Sequence, residues 1–314
     1  MRVFVAGTSG AVGSRLLPLL VSAGHAVVGL TRTSAKADAI RRGGGEAAVA
    51  DAFNRAAIVE AVVVAKPDVI VHEMTSSAAN DLRRFDRSFS VTNRLRTEGL
   101  QNLLAAAKQA GTPRIVVQSF CGWPYARIGG QVKSEEDPLD PEPPRELRRT
   151  LEAIRYLESA VTGSPDIEGV VLRYGAFYGP GTGLLDGLTI DQLRRRRVPL
   201  IGDANGWWSL LHIDDAAAAT ATAVERGAPG IYNIVDDEPA PVREWLPAVA
   251  AMLGARPPRH IPKWLARIAA GEHIVAMMTE ARAGSNAKAK RDLSWQPVHS
   301  SWREGFAEVL SQHE

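Results

Sequence analysis

Three glycines spaced three residues apart, Gly7, Gly10 and Gly13, follow an apolar run at 3–6 and lead into a helical pattern at 15–22. A turn of this kind can seat a pyrophosphate. Gly7 takes the sharp bend that leaves a strand, Gly10 has no Cβ to block a phosphate approaching the backbone, and Gly13 lets the helix pack closely. Ser9 and Val12 lie in the same turn and belong to the expected cradle. The spacing is G-x-x-G-x-x-G rather than G-x-G-x-x-G, so context carries the assignment: a strand before, a helix after, and a second apolar run at 26–30 once Gly24-His25 has closed the helix. Asp51 ends a third run, where its carboxylate can accept from an adenine amino group, and Ala52 stands beside it.

Further along, Glu73 follows a fourth run in the loop 72–79, where it can act as an acid or base or be a solvated loop carboxylate. Cys121, the single cysteine, excludes an internal disulfide and a cysteine-based zinc site. With no His or Lys close to it in sequence, it reads as a small apolar pocket residue rather than a nucleophile. No metal site is expected.

These residues need a scaffold, and the apolar runs at 3–6, 26–30, 46–50, 68–72, 114–118, 168–172 and 230–235 alternate with helical patterns, among them 91–110 and 145–161. Such alternation predicts an α/β fold, a doubly wound parallel sheet with crossover helices on both faces. The stretch 129–144 has loop composition. Residues 1–175, with 212–235 returning, form the expected dinucleotide-binding domain. Residues 176–211 and 236–314 form a smaller, mostly helical C-terminal substrate lobe over the sheet's carboxyl edge, with the substrate cleft between them.

The 314 residues carry 37 basic and 35 acidic side chains. That balance gives no field for nucleic acid, and the run 194–197 reads as a solvated helix end. No apolar run approaches a bilayer span and no signal segment precedes the first strand, so a cytoplasmic protein is expected.

The glycine turn, Asp51, RIVVQSF at 114–120, LRYGAFYGPG at 172–181, LLHIDDAAAA at 210–219, GIYNIVDDEP at 230–239 and NAKAKRDLSWQP at 286–297 occur in an order and spacing that resembles the extended short-chain dehydrogenase/reductase family of NAD(P)-dependent epimerases and dehydratases. The resemblance implies a Rossmann-type sheet, a nicotinamide cofactor, a small-molecule substrate and a homodimer built on the helices 91–110 and 145–161. An NAD site of this kind wants a carboxylate at the end of the second strand, whereas this chain has Arg32, with Thr33, Ser34 and Lys36 nearby. A guanidinium there suits a 2′-phosphate, so NADP(H) is favoured over NAD(H).

The family's catalysts are a Ser or Thr just past the fifth strand and a Tyr-x-x-x-Lys on the next helix. Ser119 matches the first, as the group that orients a substrate oxygen. The pair is missing: Thr150 and Ile154 stand at the tyrosine and lysine positions, and Tyr156 is followed four residues later by Ala160. Tyr125, Tyr174 and Tyr178 remain as hydroxyls that can face the cleft. Tyr178, in the glycine-rich loop the resemblance places beside the nicotinamide, is both a catalytic and a cofactor-contact candidate. Phe120, Cys121, Trp207 and Trp208 are the expected substrate-pocket residues. Trp208 occupies the place where the nucleotide-sugar members carry a diphosphate-gripping arginine, which predicts a small, largely uncharged carbonyl or alcohol substrate and not a nucleotide sugar. A non-redox lyase or isomerase, and a non-catalytic NADP(H) sensor, stay open beside that oxidoreductase reading.

Overall fold

A computed structural model describes residues 1–76 and 84–311, so positions 77–79 of the loop after the fourth run lie outside the described residues. All seven apolar runs are strands: β1 (Arg2–Ala6), β2 (Ala26–Thr31), β3 (Glu46–Val49), β4 (Val69–His72), β5 (Arg114–Phe120), β6 (Glu168–Tyr174) and β7 (Gly230–Ile234). They form one parallel sheet in the order β3-β2-β1-β4-β5-β6-β7. Successive side chains of a strand point to opposite faces, and here both faces are covered. Val3 and Val5 pack with α1 (Gly13–Ser22) and α6 (Ile213–Glu225), while Phe4 and Ala6 pack with α3 (Arg55–Ala65), α4 (Leu100–Ala110) and α5 (Arg148–Thr162). The helix α2 (Ser34–Arg42) joins β2 to β3. The strand order turns back between β1 and β4, the position at which a doubly wound sheet opens a crevice beyond its carboxyl ends.

Two elements depart from the sequence reading. β5 runs through Phe120 instead of ending at 118, because Ser119 and Phe120 stay in register with Arg173 and Tyr174 of β6. The helix expected at 91–110 is Ser90–Arg94, then a wide π turn at Leu95–Gly99, then α4. The buried His72 at the end of β4 holds that turn: its Nε2 lies 3.1 Å from the Leu95 carbonyl, and its Nδ1 accepts from the Met74 N–H at 3.2 Å. Those two bonds fix a neutral ring with hydrogen on Nε2, and burial lowers the His72 pKa to about 4. The stretch 129–144 also holds a two-residue strand, Val132–Lys133, paired with Ala283–Gly284.

A separate core holds the C-terminal helices Val242–Met252 and Trp302–Ser311 together with Tyr178, Leu200 and Leu210. Short strand pairs tie this lobe to the sheet's carboxyl edge, as Ala176–Tyr178 with Leu210–His212 and Trp207–Trp208 with Ala240–Pro241. Among the described residues no helix is long and apolar enough to cross a membrane.

Candidate active site

The glycine turn lies at the carboxyl end of β1 and its close contacts are backbone ones. Gly7 has φ +106°, and a Cβ there would sit 2.6 Å from the Glu73 carbonyl group; a Cβ on Gly13 would sit 2.2 Å from the Gly7 oxygen. Only glycine fits either place. Ser9 and Gly10 are exposed, Val12 is buried beneath them, and no side chain caps the amino end of α1 or places an acid in its first turn. The N–H groups of Ser14, Arg15 and Leu16 are taken by the Gly10 and Val12 carbonyls, so an anion at this end would meet the glycine turn ahead of them. At the end of β2, Arg32 is exposed and makes no ion pair among the described residues. Asp51 accepts from the Phe53 N–H at 3.0 Å through one carboxylate oxygen, and the Ala52 carbonyl accepts from Asn102 at 2.8 Å. These positions follow the carboxyl ends of the adjacent strands β1, β2 and β3.

Glu73 sits beneath the cradle and is buried. Its Oε1 is 2.8 Å from the Tyr174 hydroxyl, its Oε2 has no partner, and burial raises its pKa to about 8. It does not line the cavity described below.

Ser119 is placed by the extra length of β5, which turns its hydroxyl toward α5, where it donates to Glu158 Oε1 at 2.7 Å. The same carboxylate takes two bonds from Arg173, at 2.8 and 2.6 Å, and Arg173 reaches the Tyr125 hydroxyl at 3.0 Å. Tyr125 in turn donates to Asn233 at 2.7 Å. Ser119 is therefore one terminus of a buried polar network, and the next residue, Phe120, forms the cavity wall. Tyr178 is also in the interior: its ring packs edge-on against Phe306 and His212, and its hydroxyl is buried without a partner. Burial, with Asp236 and Asp215 nearby, drives its pKa up. None of Tyr125, Tyr174 and Tyr178 faces the cavity, because each is held in a core by the element it sits on.

The cavity, of about 180 Å³, lies between the carboxyl ends of β5 and β6 and the lobe. It brings together all four expected pocket residues, Phe120, Cys121, Trp207 and Trp208. Phe85, Phe89, Trp123 and Arg96 join them, and sequence reasoning missed these four. Phe85 stacks on Phe89 with ring centroids 4.3 Å apart and meets Trp123 edge-on at 5.6 Å, giving a largely aromatic wall. Met277 and Ala281 complete it from the lobe, brought close by backbone bonds from Gly206 to Met278 and from Trp207 to Ala281. The Trp208 indole N–H is taken by the Met277 carbonyl at 3.0 Å. Burial pushes the Cys121 thiol up to about 12, so it stays protonated and serves as wall.

Thr150 lines the cavity where the resemblance puts a tyrosine, yet its hydroxyl donates to Asp86 at 2.6 Å and accepts from Asn93 at 3.0 Å. Asp86 also takes the backbone N–H groups of Arg149 and Thr150, capping α5. Ile154 is fully buried, α5 contains no lysine, and its one tyrosine, Tyr156, accepts a bond from Gln101 at 2.7 Å. Arg96 is 6% exposed, and its one hydrogen bond among the described residues is a long one to Asn93 at 3.5 Å. Burial lowers its pKa to about 10 despite the neighbouring Glu158, so it remains a cation at neutral pH.

Among the described residues one group has metal-type donors within 4.8 Å of one another, His212, Asp215 and His299. Its carboxylate is already taken by the backbone N–H groups of Val298 and His299 and by the His299 ring.

With fold and site in place, the class is defined. The family model described as the NAD dependent epimerase/dehydratase family matches residues 3–235. The chain belongs to that family, in its extended short-chain dehydrogenase/reductase form. A 3-diazoavenalumate denitrifying reductase from a Streptomyces species is 42% identical over 310 residues, covering 98% of this chain and 99% of the relative. A 4-hydroxy-2-methyl-3-oxo-4-farnesyl-3,4-dihydroquinoline-1-oxide ketoreductase from Stigmatella aurantiaca is 28% identical over 293 residues, 90% of this chain and 84% of the relative. The crystal structure of a human epimerase family protein with NADPH matches with a TM-score of 0.76 at 20% identity, covering 99% of each chain, a likeness of fold.

Proposed function

We propose that this protein is an NADP(H)-dependent reductase of a small aromatic substrate. The observation that carries the reading is the adjacency of an uncapped glycine cradle, ending at the exposed Arg32, and an aromatic-walled cavity at the same carboxyl edge of the sheet. Gly7, Ser9, Gly10, Val12 and Gly13 would hold the pyrophosphate, Asp51 and Ala52 the adenine, and Arg32 a 2′-phosphate. The nicotinamide would supply a hydride. Phe120, Trp123, Trp207 and Trp208 orient a ring by stacking and exclude water from it, and Cys121 leaves room where a larger side chain would block entry.

The reaction class follows from what α5 lacks. Reduction of a carbonyl ends with a proton delivered to an alkoxide, and neither Thr150 nor Ile154 titrates near neutral pH. Removal of an aryl diazo group has no such need: Ar–N₂⁺ plus hydride gives Ar–H plus N₂, with no proton drawn from the protein. The 42% identical relative is named for that chemistry. A diazoarene is therefore the favoured substrate, and an aryl carbonyl or alcohol is the second reading, supported by the ketoreductase relative. A homodimer through α4 and α5 belongs to the same proposal, since the Gln101–Tyr156 bond already joins those helices into one face.

The test mixes the protein and NADPH, then NADH, with an aryl diazonium and with aryl aldehydes, following cofactor oxidation and N₂ release. Stoichiometric N₂ with NADPH is the expected result. Oxidation with aldehydes alone moves the assignment to carbonyl reduction, and no oxidation with any substrate overturns the reductase reading in favour of a lyase or a sensor.

A further inference from the structure

We infer that the ring held in the cavity carries a carboxylate, and that Arg96 receives it. The inference rests on the reading of the cavity as the substrate site and replaces the expected, largely uncharged substrate by an aromatic carboxylate. The fully buried charges beside the cavity are two arginines and one carboxylate among the described residues, while the half-buried Asp86 is engaged by Thr150 and the amino end of α5. Glu158 supplies one negative charge, and both of its oxygens are engaged by Arg173, one of them shared with Ser119. Arg96 adds a second buried positive charge, and no carboxylate forms an ion pair with it among the described residues. A desolvated charge left uncompensated is strongly unfavourable, so a fold that keeps one at a cavity wall gains when a counter-ion arrives.

The position is built rather than incidental. Arg96 lies in the π turn, a wide helical turn whose Leu95 carbonyl is pinned by the neutral His72, and such turns recur at functional sites. Counting back along the same segment, Phe89 and Phe85 lie seven and eleven residues earlier, and all three side chains line the cavity. The wall therefore offers flat apolar surface with one planar cation set into it. A guanidinium presents parallel N–H donors whose geometry matches the two oxygens of a carboxylate. Size agrees: an engineered cavity of ~150 Å³ holds benzene, so about 180 Å³ takes one ring with a short acidic arm. The two hydroxyls on the wall offer the ligand no donor, since Thr150 gives its hydrogen to Asp86 and Ser209 donates to the Gly284 carbonyl.

Calorimetric titration of the protein with cinnamate and with methyl cinnamate tests this, repeated on Arg96→Met and Arg96→Lys. A charge-assisted pair corresponds to roughly ten- to a hundredfold in affinity. Cinnamate should bind the unaltered protein tighter than its ester by that factor. Arg96→Met should weaken cinnamate by about as much while leaving the ester within roughly threefold, and Arg96→Lys should fall between. Equal affinity for acid and ester, or an acid preference that survives Arg96→Met, overturns the inference and leaves the aromatic reading intact. Absence of saturable binding by either compound overturns both. Should Arg96→Met fail to fold, the acid against ester comparison on the unaltered protein decides alone.

Discussion

The hydroxyl of Tyr174 lies 2.8 Å from Glu73 Oε1 and 2.6 Å from Thr220 Oγ1. Thr220 in turn donates to the Ala216 carbonyl at 2.7 Å. Tyr174 donates to Glu73 Oε1, and either hydroxyl can supply the hydrogen between Tyr174 and Thr220. The Tyr174 bond favours an ionised Glu73, whereas burial of its other oxygen, without a partner among the described residues, favours the neutral acid. Desolvation is the larger effect and favours the neutral acid.

Stability should accordingly fall as pH rises. The Glu73 pKa is raised from 4.5 to about 8, so the folded state holds a proton that the unfolded state has released between those values. The stabilisation is complete below about pH 4.5 and is lost progressively up to about pH 8. At ~1.36 kcal/mol per pH unit this approaches roughly 4 to 5 kcal/mol, an upper bound for a buried group. Asp236, raised by burial to about 8, acts in the same direction. Glu73→Gln keeps a neutral oxygen that accepts from Tyr174, so its urea midpoint should decline less between pH 5.5 and 8 than that of the unaltered protein. Parallel declines would show that Glu73 is ionised in the fold.

Replacing Arg32 by Ala should weaken NADP(H) binding by roughly ten- to a hundredfold, the worth of a charge-assisted hydrogen bond, and leave NAD(H) almost unchanged. Fluorescence titration of the two reduced cofactors separates these outcomes. Equal losses for both would place Arg32 against the adenine ring instead of a 2′-phosphate.

Thr150→Val should act on stability and spare activity. The substitution removes a buried hydroxyl bonded to Asp86 and Asn93, a loss of about 1.5 to 3 kcal/mol in unfolding free energy, while any turnover stays within an order of magnitude. A thousandfold fall in kcat with unaltered stability would give Thr150 a catalytic part. Ser119→Ala is expected to reduce turnover further than Thr150→Val does, by loosening the Glu158–Arg173 pair behind Phe120.

How much of this was readable in the chain depends on which contacts decide each feature. The sheet was legible because strands buried on both faces are written as unbroken apolar runs, and the glycine turn because only backbone room and a positive φ explain three glycines there. The pocket quartet was legible from motif order. Arg96 was not, since a regular 3.6-residue period puts no special weight on an arginine in the helix 91–110, and the π turn that carries it depends on His72, a residue distant in sequence. Phe85 and Phe89 offered one weak signal, aromatic rings four apart just ahead of that helix. Ser119 was placed beyond a strand that runs on to Phe120, and a pleat decides by single residues which side chain meets the helix and which meets the cavity.

Nucleotide sugars should not bind. A desolvated diphosphate needs at least one bidentate cation beside it, together with room for a nucleoside and a hexose. At the place where the nucleotide-sugar members keep an arginine this protein has Trp208, whose one N–H is already spent on the Met277 carbonyl and whose ring lies 5.3 Å from that of Trp245. The run 194–197 does not substitute for it: Arg195 pairs with Asp191, and Arg196 donates to the Pro257 carbonyl. Among the described residues Arg96 is the single cation of the cavity wall, and about 180 Å³ is the space of one substituted ring. Titration with UDP-glucose and dTDP-glucose should give no saturable signal at micromolar concentration, under conditions where an aromatic acid does. Saturable binding of either sugar nucleotide would mean that the lobe opens well beyond this cavity, and that a second cation reaches the diphosphate.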